Sequence, residues 1–335
     1  MVMRAAVIGV GSMGRNHARL YNEMDGVELV GVADADPAVA ARVAQQFKVP
    51  AYTDFAALLD ETRPQAVSVA VPTSLHRQIA GLAIERGVHV LVEKPIASTV
   101  AEGRELIAVA QQRGVVLAVG HVERFNPAVI ELKRRLDAGE LGRVFQVFAR
   151  RVGPFPPRIR DVGVTIDLAT HDLDVIGHLV GARVTRLYAS TEQRIHATHE
   201  DMLTGLLHFA DGTVGVLDIN WLVPTKIRQL SVIGERGMFQ VDYLTQTLRF
   251  YENETAHEGW EPLQVLRGVT EGNMIQLRVA QREPLRVELE TFLAAVRGEP
   301  PAIVTGAEGL RALHLAEKLR ESGRSGQAIV EPDLP

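Results

Sequence analysis

The sequence predicts an α/β protein, with a doubly wound parallel sheet at the N-terminus and an α+β region after it. Three observations carry this reading. Short apolar runs alternate with helical patterns through the first third of the chain. A glycine-rich turn joins the first run to the first helix, and beyond residue 123 strands follow one another through hairpin turns. A length of 335 residues exceeds what one hydrophobic core ordinarily organises, so two domains are expected, 1–122 and 123–335.

Candidate strands span 4–10, 28–34, 66–71, 88–92 and 115–120, and helical patterns fill 37–47, 75–86 and 100–113. Gly87 and Gly114 stand where a helix would end before the next strand, as C-terminal caps do. A helix at 127–138 then leads into a strand at 144–151 and a loop, Gly153-Pro154-Phe155-Pro156-Pro157-Arg158. After a helix at 167–180 come strands at 183–190, 202–209, 215–221, 228–233 and 238–241, with Asp211-Gly212 as a hairpin signal. This succession implies an antiparallel or mixed sheet, and helices at 284–296 and 307–321 close the chain.

Composition narrows the function classes. Hydrophobic residues make up 46% and charged residues 23%, the profile of a soluble globular protein. With a net charge of −5 and no basic block, nothing points to nucleic acid. No apolar run reaches membrane-spanning length and the N-terminus reads as a strand rather than a signal peptide, so a cytoplasmic protein without a membrane partner is expected. The absence of cysteine removes disulfides and thiolate chemistry. Only five of the 36 basic residues are lysines, which draws attention to a lysine inside a motif.

Gly9-Val10-Gly11-Ser12-Met13-Gly14 is G-x-G-x-x-G, placed after an apolar strand and opening a helix. Gly9 permits the tight turn, Gly11 lets a pyrophosphate approach the backbone, and Gly14 lets helix and strand pack closely. The helix N-terminus then offers unpaired N–H groups and partial positive charge to phosphates. Asp34 ends the second strand twenty residues after Gly14, where a carboxylate accepts hydrogen bonds from an adenosine ribose and repels a 2′-phosphate. NAD is therefore expected rather than NADP, in a Rossmann domain. Ala70-Val71-Pro72-Thr73 lies at another strand's carboxyl end, where open α/β folds bind ligands. His76, just inside the following helix, fits a cofactor contact and a simple polar helix start equally well.

Val90-Leu91-Val92 runs into Glu93-Lys94-Pro95, again at a strand's carboxyl end. Two opposite charges there could be a solvated loop. Pro95 stiffens the backbone after the lysine, which suits a positioned side chain, and a lysine beside a positive nicotinamide exchanges protons more easily. In the helix from Asp167, steps of 100° put Asp167, His171, Asp174 and His178 on one stripe of a mostly apolar helix. Asp167 could orient an imidazole at His171 that takes a proton from a hydroxyl, or the two could merely satisfy each other in a core. Metal binding is disfavoured, because a second ligand pair and thiolates are absent. His196-Ala197-Thr198-His199-Glu200 has no metalloprotease pattern, reads as an exposed connection and receives no role. Trp221, Phe239, Tyr243 and Tyr251 read as sheet-face packing.

These residues together resemble the glucose–fructose oxidoreductase/inositol dehydrogenase (Gfo/Idh/MocA) family. The match rests on Gly9–Gly14 with Asp34, on Val71-Pro72-Thr73 through His76, on Glu93-Lys94-Pro95, and on Asp167-x-x-x-His171. The resemblance implies a Rossmann domain joined to a domain with a large open sheet, which commonly buries its face in a homodimer or homotetramer. It also implies that Lys94, Asp167 and His171 line the hydroxyl being oxidised. The cofactor contacts it implies are Gly9, Gly11, Ser12, Met13, Gly14, Asp34, Ala70, Pro72, Thr73, His76, Glu93 and Lys94. The family's helix carries Gly two residues after the aspartate, where this chain has Ala169, a tolerable change.

A narrower resemblance, to the branch that oxidises the 3-hydroxyl of UDP-N-acetylglucosamine, rests on three further segments. They are Gly120-His121-Val122-Glu123-Arg124-Phe125-Asn126-Pro127, Arg151-Val152-Gly153-Pro154-Phe155-Pro156-Pro157-Arg158 and Asp161-Val162-Gly163-Val164. It implies a nucleotide-sugar substrate contacted by Arg124, Asn126, Arg151 and Arg158, since guanidinium forks bind phosphate oxygens bidentately. Dehydrogenation of inositol or a free aldose, and a non-catalytic NAD-binding regulator, are the rival readings. Retention of Lys94, Asp167 and His171 together argues against the regulator.

Overall fold

A computed structural model of the chain describes residues 2–156, 162–253, 272–300 and 302–330. The strands are β1 (Met3–Ile8), β2 (Val27–Ala33), β3 (Ala51–Tyr52), β4 (Ala66–Val69), β5 (His89–Glu93), β6 (Leu117–Gly120), β7 (Val144–Pro154) and β8 (Val184–Glu192). They continue with β9 (Met202–Phe209), β10 (Val214–Asn220), β11 (Leu222–Gly234), β12 (Gly237–Asp242), β13 (Thr247–Glu252), β14 (Met274–Leu277) and β15 (Ile329–Val330). The helices are α1 (Ser12–Glu23), α2 (Pro37–Phe47), α3 (Phe55–Thr62), α4 (His76–Glu85), α5 (Val100–Arg113) and α6 (Pro127–Asp137). Three more follow, α7 (Thr170–Val180), α8 (Pro284–Val296) and α9 (Gly306–Ser325). Among the described residues no helix is long and apolar enough to cross a membrane.

The described residues divide into two units, one of residues up to Phe125 with 283–314, the other of 126–282 with 315–330. The sequence reading assigned all of 123–335 to one domain, whereas here residues 283–314 return to the first unit. The reason is apolar burial. Leu285, Leu289, Phe292 and Leu293 of α8 join the core formed by β1, β2 and α1. Val119 N–H also donates to the Val304 carbonyl at 2.9 Å, which adds an edge contact to β6. Helix periodicity marks such an apolar face but does not say which sheet receives it.

In the first unit six parallel strands run in the order β3-β2-β1-β4-β5-β6, the expected doubly wound sheet. Strand β4 is buried at every residue, as a parallel strand covered on both faces must be. The strand order reverses between β1 and β4, which places a ligand crevice at their carboxyl ends. Local chemistry sets the connections. Asp36 caps α2 by accepting from Ala38 N–H at 2.8 Å, and Pro37 occupies the first turn, where its missing N–H costs nothing. Asp54 caps α3 in the same manner.

The second unit holds a nine-stranded mixed sheet, ordered β14-β13-β12-β11-β7-β10-β9-β8-β15. Among its described strands only β7 and β10 pair in parallel. The hairpin expected at Asp211-Gly212 joins β9 to β10, with Gly212 at φ 89. Alternation separates two faces. Leu207, Gly215, Val147, Val232 and Phe239 form one cross-strand row that is buried. Leu319 of α9 packs on this face, against Gly205. The opposite face carries the row Tyr188, Leu206, Val216 and Phe148, of which Tyr188 is 40% and Leu206 38% exposed.

Candidate active site

In the first unit the glycine turn has the geometry its spacing predicts. Gly9 adopts φ +82, and a Cβ there would lie 2.6 Å from the Ala70 carbonyl oxygen. A Cβ on Gly14 would sit 1.8 Å from the Gly9 oxygen, so α1 and the turn touch backbone to backbone. Gly11 differs, because its Cβ position has no neighbour within 4 Å. It caps α1 without any side-chain acceptor for the first N–H groups. An uncapped helix start opening onto free space beside a glycine is what a pyrophosphate requires. Asp34 braces this turn, its Oδ2 accepting from Val10 N–H at 2.9 Å and its Oδ1 from Asp36 N–H at 3.0 Å. A carboxylate has about four acceptor positions, so capacity remains for ribose hydroxyls. These residues fit a dinucleotide without a 2′-phosphate.

Two more loops leave the same edge of the sheet, after β4 and after β5. His76, 1% exposed, ties them together, with Nδ1 2.8 Å from the Pro95 carbonyl oxygen and Nε2 3.0 Å from that of Val71. Burial holds its pKa below the ordinary histidine value, and the two carbonyls offset only part of that. His76 thus serves the site as an internal brace between Val71 and Pro95. Ala70, Pro72 and Thr73 belong to the first loop, where Pro72 is exposed and Thr73 half-buried. Glu93 ends β5 opposite Gly120 of β6, and Lys94 follows, half-buried, before a cis peptide to Pro95. Glu93 Oε1 lies 2.9 Å from Nε2 of His17, a wholly buried residue of α1 that the sequence reading passed over. The signal was present: His17 and Tyr21 stand one turn apart on the buried stripe that begins at Gly14.

Arg124 also lies in the first unit, its Nη1 donating to Glu308 Oε1. Burial pushes the Glu308 carboxyl up, but Arg124 together with the N–H and hydroxyl of Thr305 outweighs this and holds it below the usual range.

In the second unit the helix predicted from Asp167 begins differently. Thr165–Ala169 forms a single π turn before α7, and Asp167 lies within it. The Gly163 carbonyl accepts from both Ile166 N–H at 3.2 Å and Asp167 N–H at 3.0 Å, so the turn that precedes the wider π turn is closed by ordinary short-range bonds. With Asp167 in the π turn, the angular offset between Asp167 and His171 departs from the regular spacing, and both remain partly exposed while Asp174 is buried. Single π turns inside helices concentrate at functional sites.

The 196–200 segment needs correction, because it is not simply an exposed connection. His196 is buried, and its Nδ1 accepts from Thr198 and His199 N–H at 3.1 and 3.0 Å. The buried Asp201 carboxylate gathers the N–H groups of Arg194, Ile195 and His196. Val164 N–H donates to the Glu200 carbonyl at 2.9 Å, so this loop anchors the start of the Asp167 helix. Trp221 stacks on His196 with ring centroids 6.2 Å apart.

Of the residues assigned to a nucleotide-sugar substrate, Arg158 lies outside the described residues. Asn126 caps α6 through Ala128 N–H and donates to the Tyr243 carbonyl at 3.1 Å. Arg151 is 3% exposed and bonds Asp172, itself 1% exposed, through Nε at 2.6 Å and Nη2 at 3.2 Å. Its guanidinium also lies over the Tyr243 ring, 5.2 Å from the centroid.

Residues 3–121 match the family described as an oxidoreductase family with an NAD-binding Rossmann fold, and residues 129–240 match the GFO/IDH/MocA C-terminal domain. The chain is 35% identical to UDP-N-acetylglucosamine 3-dehydrogenase of Acidithiobacillus ferrooxidans, over 95% of this chain and 96% of that protein. It is also 33% identical to scyllo-inositol 2-dehydrogenase (NAD(+)) of Bacillus subtilis, over 98% and 96% respectively. A solved structure of the Acidithiobacillus ferrooxidans enzyme superimposes with a TM-score of 0.86, covering 96% of this chain and 98% of that one at 33% identity.

Proposed function

The chain belongs to the Gfo/Idh/MocA family of NAD-dependent oxidoreductases acting on CH–OH groups, and from that premise we propose that it oxidises a sugar hydroxyl to a ketone, the 3-hydroxyl of a UDP-N-acetylhexosamine. The observation that carries the oxidoreductase reading is the open, uncapped turn at Gly11 with Asp34 beside it, on the same sheet edge as Lys94. The sugar-nucleotide assignment is supported by similarity over nearly the whole chain to a UDP-N-acetylglucosamine 3-dehydrogenase.

Gly9, Gly11, Ser12, Met13 and Gly14 hold the pyrophosphate in this reading. Asp34 takes the adenosine ribose, while Ala70, Pro72, Thr73, Glu93 and Lys94 take the remainder of the dinucleotide. Bound NAD supplies the hydride acceptor. His171, oriented by Asp167, takes the hydroxyl proton, and Lys94 donates a hydrogen bond to the developing alkoxide; the two roles can be exchanged without altering the balance of the reaction. Arg124, Asn126 and Arg151, whose side chains bond Glu308, Tyr243 and Asp172, shape their surroundings rather than grip phosphate.

A second reading, oxidation of a cyclitol, is favoured by the similarity to an inositol dehydrogenase. The discriminating experiment follows NAD reduction with UDP-sugars, free aldoses and inositols as separate panels. Turnover confined to UDP-N-acetylhexosamines supports the proposal, and turnover confined to inositols overturns it. We also assign self-association to the open sheet face around Tyr188 and Leu206, an exposed apolar row of the kind that homo-oligomers cover.

A further inference from the structure

Tyr21, Ser68, His17 and Glu93 form an unbroken hydrogen-bonded line inside the first unit. Tyr21 Oη lies 2.8 Å from Ser68 Oγ, Ser68 Oγ lies 2.9 Å from His17 Nδ1, and His17 Nε2 lies 2.9 Å from Glu93 Oε1. The first three side chains are wholly buried, and only Glu93, 12% exposed, reaches the surface.

The direction of the line follows from what each group can donate. Burial drives the Tyr21 phenol well above its ordinary pKa, the Ser68 hydroxyl offsets part of this and the Glu288 carboxylate adds to it, so the proton stays on the phenol oxygen, from which it can be given to Ser68. Ser68 then gives its own proton to His17 Nδ1. The imidazole is left with its proton on Nε2, where it donates to the carboxylate.

Three buried polar side chains are a costly way to fill a core, since each is left unsatisfied if its partner goes. Apolar residues of equal volume would pack as well. What the line provides, and an apolar filling would not, is one fixed donor beneath Glu93. The neighbouring strand leaves room for that carboxyl, because a Cβ on Gly120 would lie 3.1 Å from Glu93 Cδ and Oε2.

We propose that His17 is a positioning residue, locked in one tautomer by Ser68 and Tyr21, that fixes the Glu93 carboxylate beside Lys94 at the carboxyl end of β5 for the nicotinamide end of the dinucleotide. The proposal rests on the reading of Glu93 and Lys94 as cofactor and proton-transfer residues. It makes His17 neither a proton donor to substrate nor a contact of the cofactor.

The test uses the full chain and NADH as the probe. The His17 ring is observed by ¹⁵N–¹H NMR, and NADH affinity and thermal unfolding are measured for Ser68→Ala, Tyr21→Phe, His17→Gln and Glu93→Ala. The wild-type ring should show the Nε2–H tautomer. Ser68→Ala, which removes one hydroxyl and is the variant most certain to fold, should lose that fixed tautomer and weaken NADH roughly two- to tenfold. His17→Gln should weaken it at least as much, and adding Glu93→Ala to it should cost nothing further.

If Glu93→Ala weakens NADH while folded Ser68→Ala and His17→Gln bind it as the wild type does, the line is merely structural and the proposal is overturned. If Glu93→Ala itself leaves NADH affinity unchanged, the cofactor reading of Glu93 fails and the positioning role falls with it. An Nδ1–H tautomer in the wild type overturns the proposal on its own.

Discussion

Arg151 and Asp172 form a two-pronged ion pair, Nε to Oδ2 at 2.6 Å and Nη2 to Oδ1 at 3.2 Å, with both side chains almost wholly out of water. Removing one partner strands the other's charge in the core of the second unit. Asp172→Ala should therefore lower unfolding stability by about 3–5 kcal/mol, whereas replacing both residues by apolar ones of similar volume should restore most of it. Urea unfolding of the two variants checks this. Equal losses in the single and double variants would deny the pair its place in the core.

The three glycines of the first turn should separate folding from binding. Gly14→Ala brings a Cβ to within 1.8 Å of a carbonyl oxygen and should destabilise the fold by about 1–3 kcal/mol. Gly11→Ala meets nothing within 4 Å, so its stability should stay within about 0.5 kcal/mol of wild type. Its NAD affinity should nonetheless fall about tenfold or more, because the methyl occupies the approach to the helix N-terminus. Calorimetric titration beside thermal melts measures both, and unaltered NAD binding in Gly11→Ala would place the pyrophosphate elsewhere.

Asp34→Asn keeps an oxygen for Val10 N–H but gives up the negative charge. NAD should bind more weakly by roughly tenfold, and NADP more strongly relative to NAD. Competition of the two dinucleotides for the variant, followed by fluorescence, reads the ratio directly.

Burial holds His76 below the ordinary histidine pKa. The unfolded chain then takes up a proton at higher pH than the folded one, so this group's contribution makes stability fall as pH drops through about 6.5. Wild-type stability minus that of His76→Gln should decline over this interval as the solution is acidified. A difference independent of pH would remove the group from the acid response.

The open face of the nine-stranded sheet should be covered in solution. Leu206→Arg, at the centre of the row that joins Tyr188 to Val216, should shift the species seen by light scattering to lower mass without unfolding the chain. A wild-type monomer would contradict the assignment.

Elements with a strong local signature were legible in the sequence. The Gly9–Gly14 turn combines strand, glycines and helix within one short stretch, and the hairpin at Asp211-Gly212 is likewise local. Strand β3, two residues long, and β14, mostly exposed, have too little apolar pattern to show. The return of α8 to the first unit depends on contacts hundreds of residues apart. The pairing of Arg151 with Asp172 spans only 21 positions, but it joins a strand to a helix whose packing no local pattern gives, and Arg151 looked like a phosphate fork while its partner was unknown. The π turn was hidden because steps of 100° assume a regular helix. His17 carried a legible sign, a polar side chain on an apolar stripe; His76 stood out for its place after the 70–73 segment, but its two carbonyl partners are visible only in three dimensions.

The central claim is tested most directly by turnover of UDP-N-acetylglucosamine with NAD in wild type, Lys94→Ala and His171→Ala, with NAD binding measured on the same preparations. Both variants should lose about 10²–10⁴-fold in turnover. His171→Ala should bind NAD nearly as the wild type does, and Lys94→Ala, which also gives up a dinucleotide contact, should bind it no more than about tenfold more weakly. Wild-type turnover in either variant, or a wild type that binds NAD and never reduces it with any sugar nucleotide, would contradict the account.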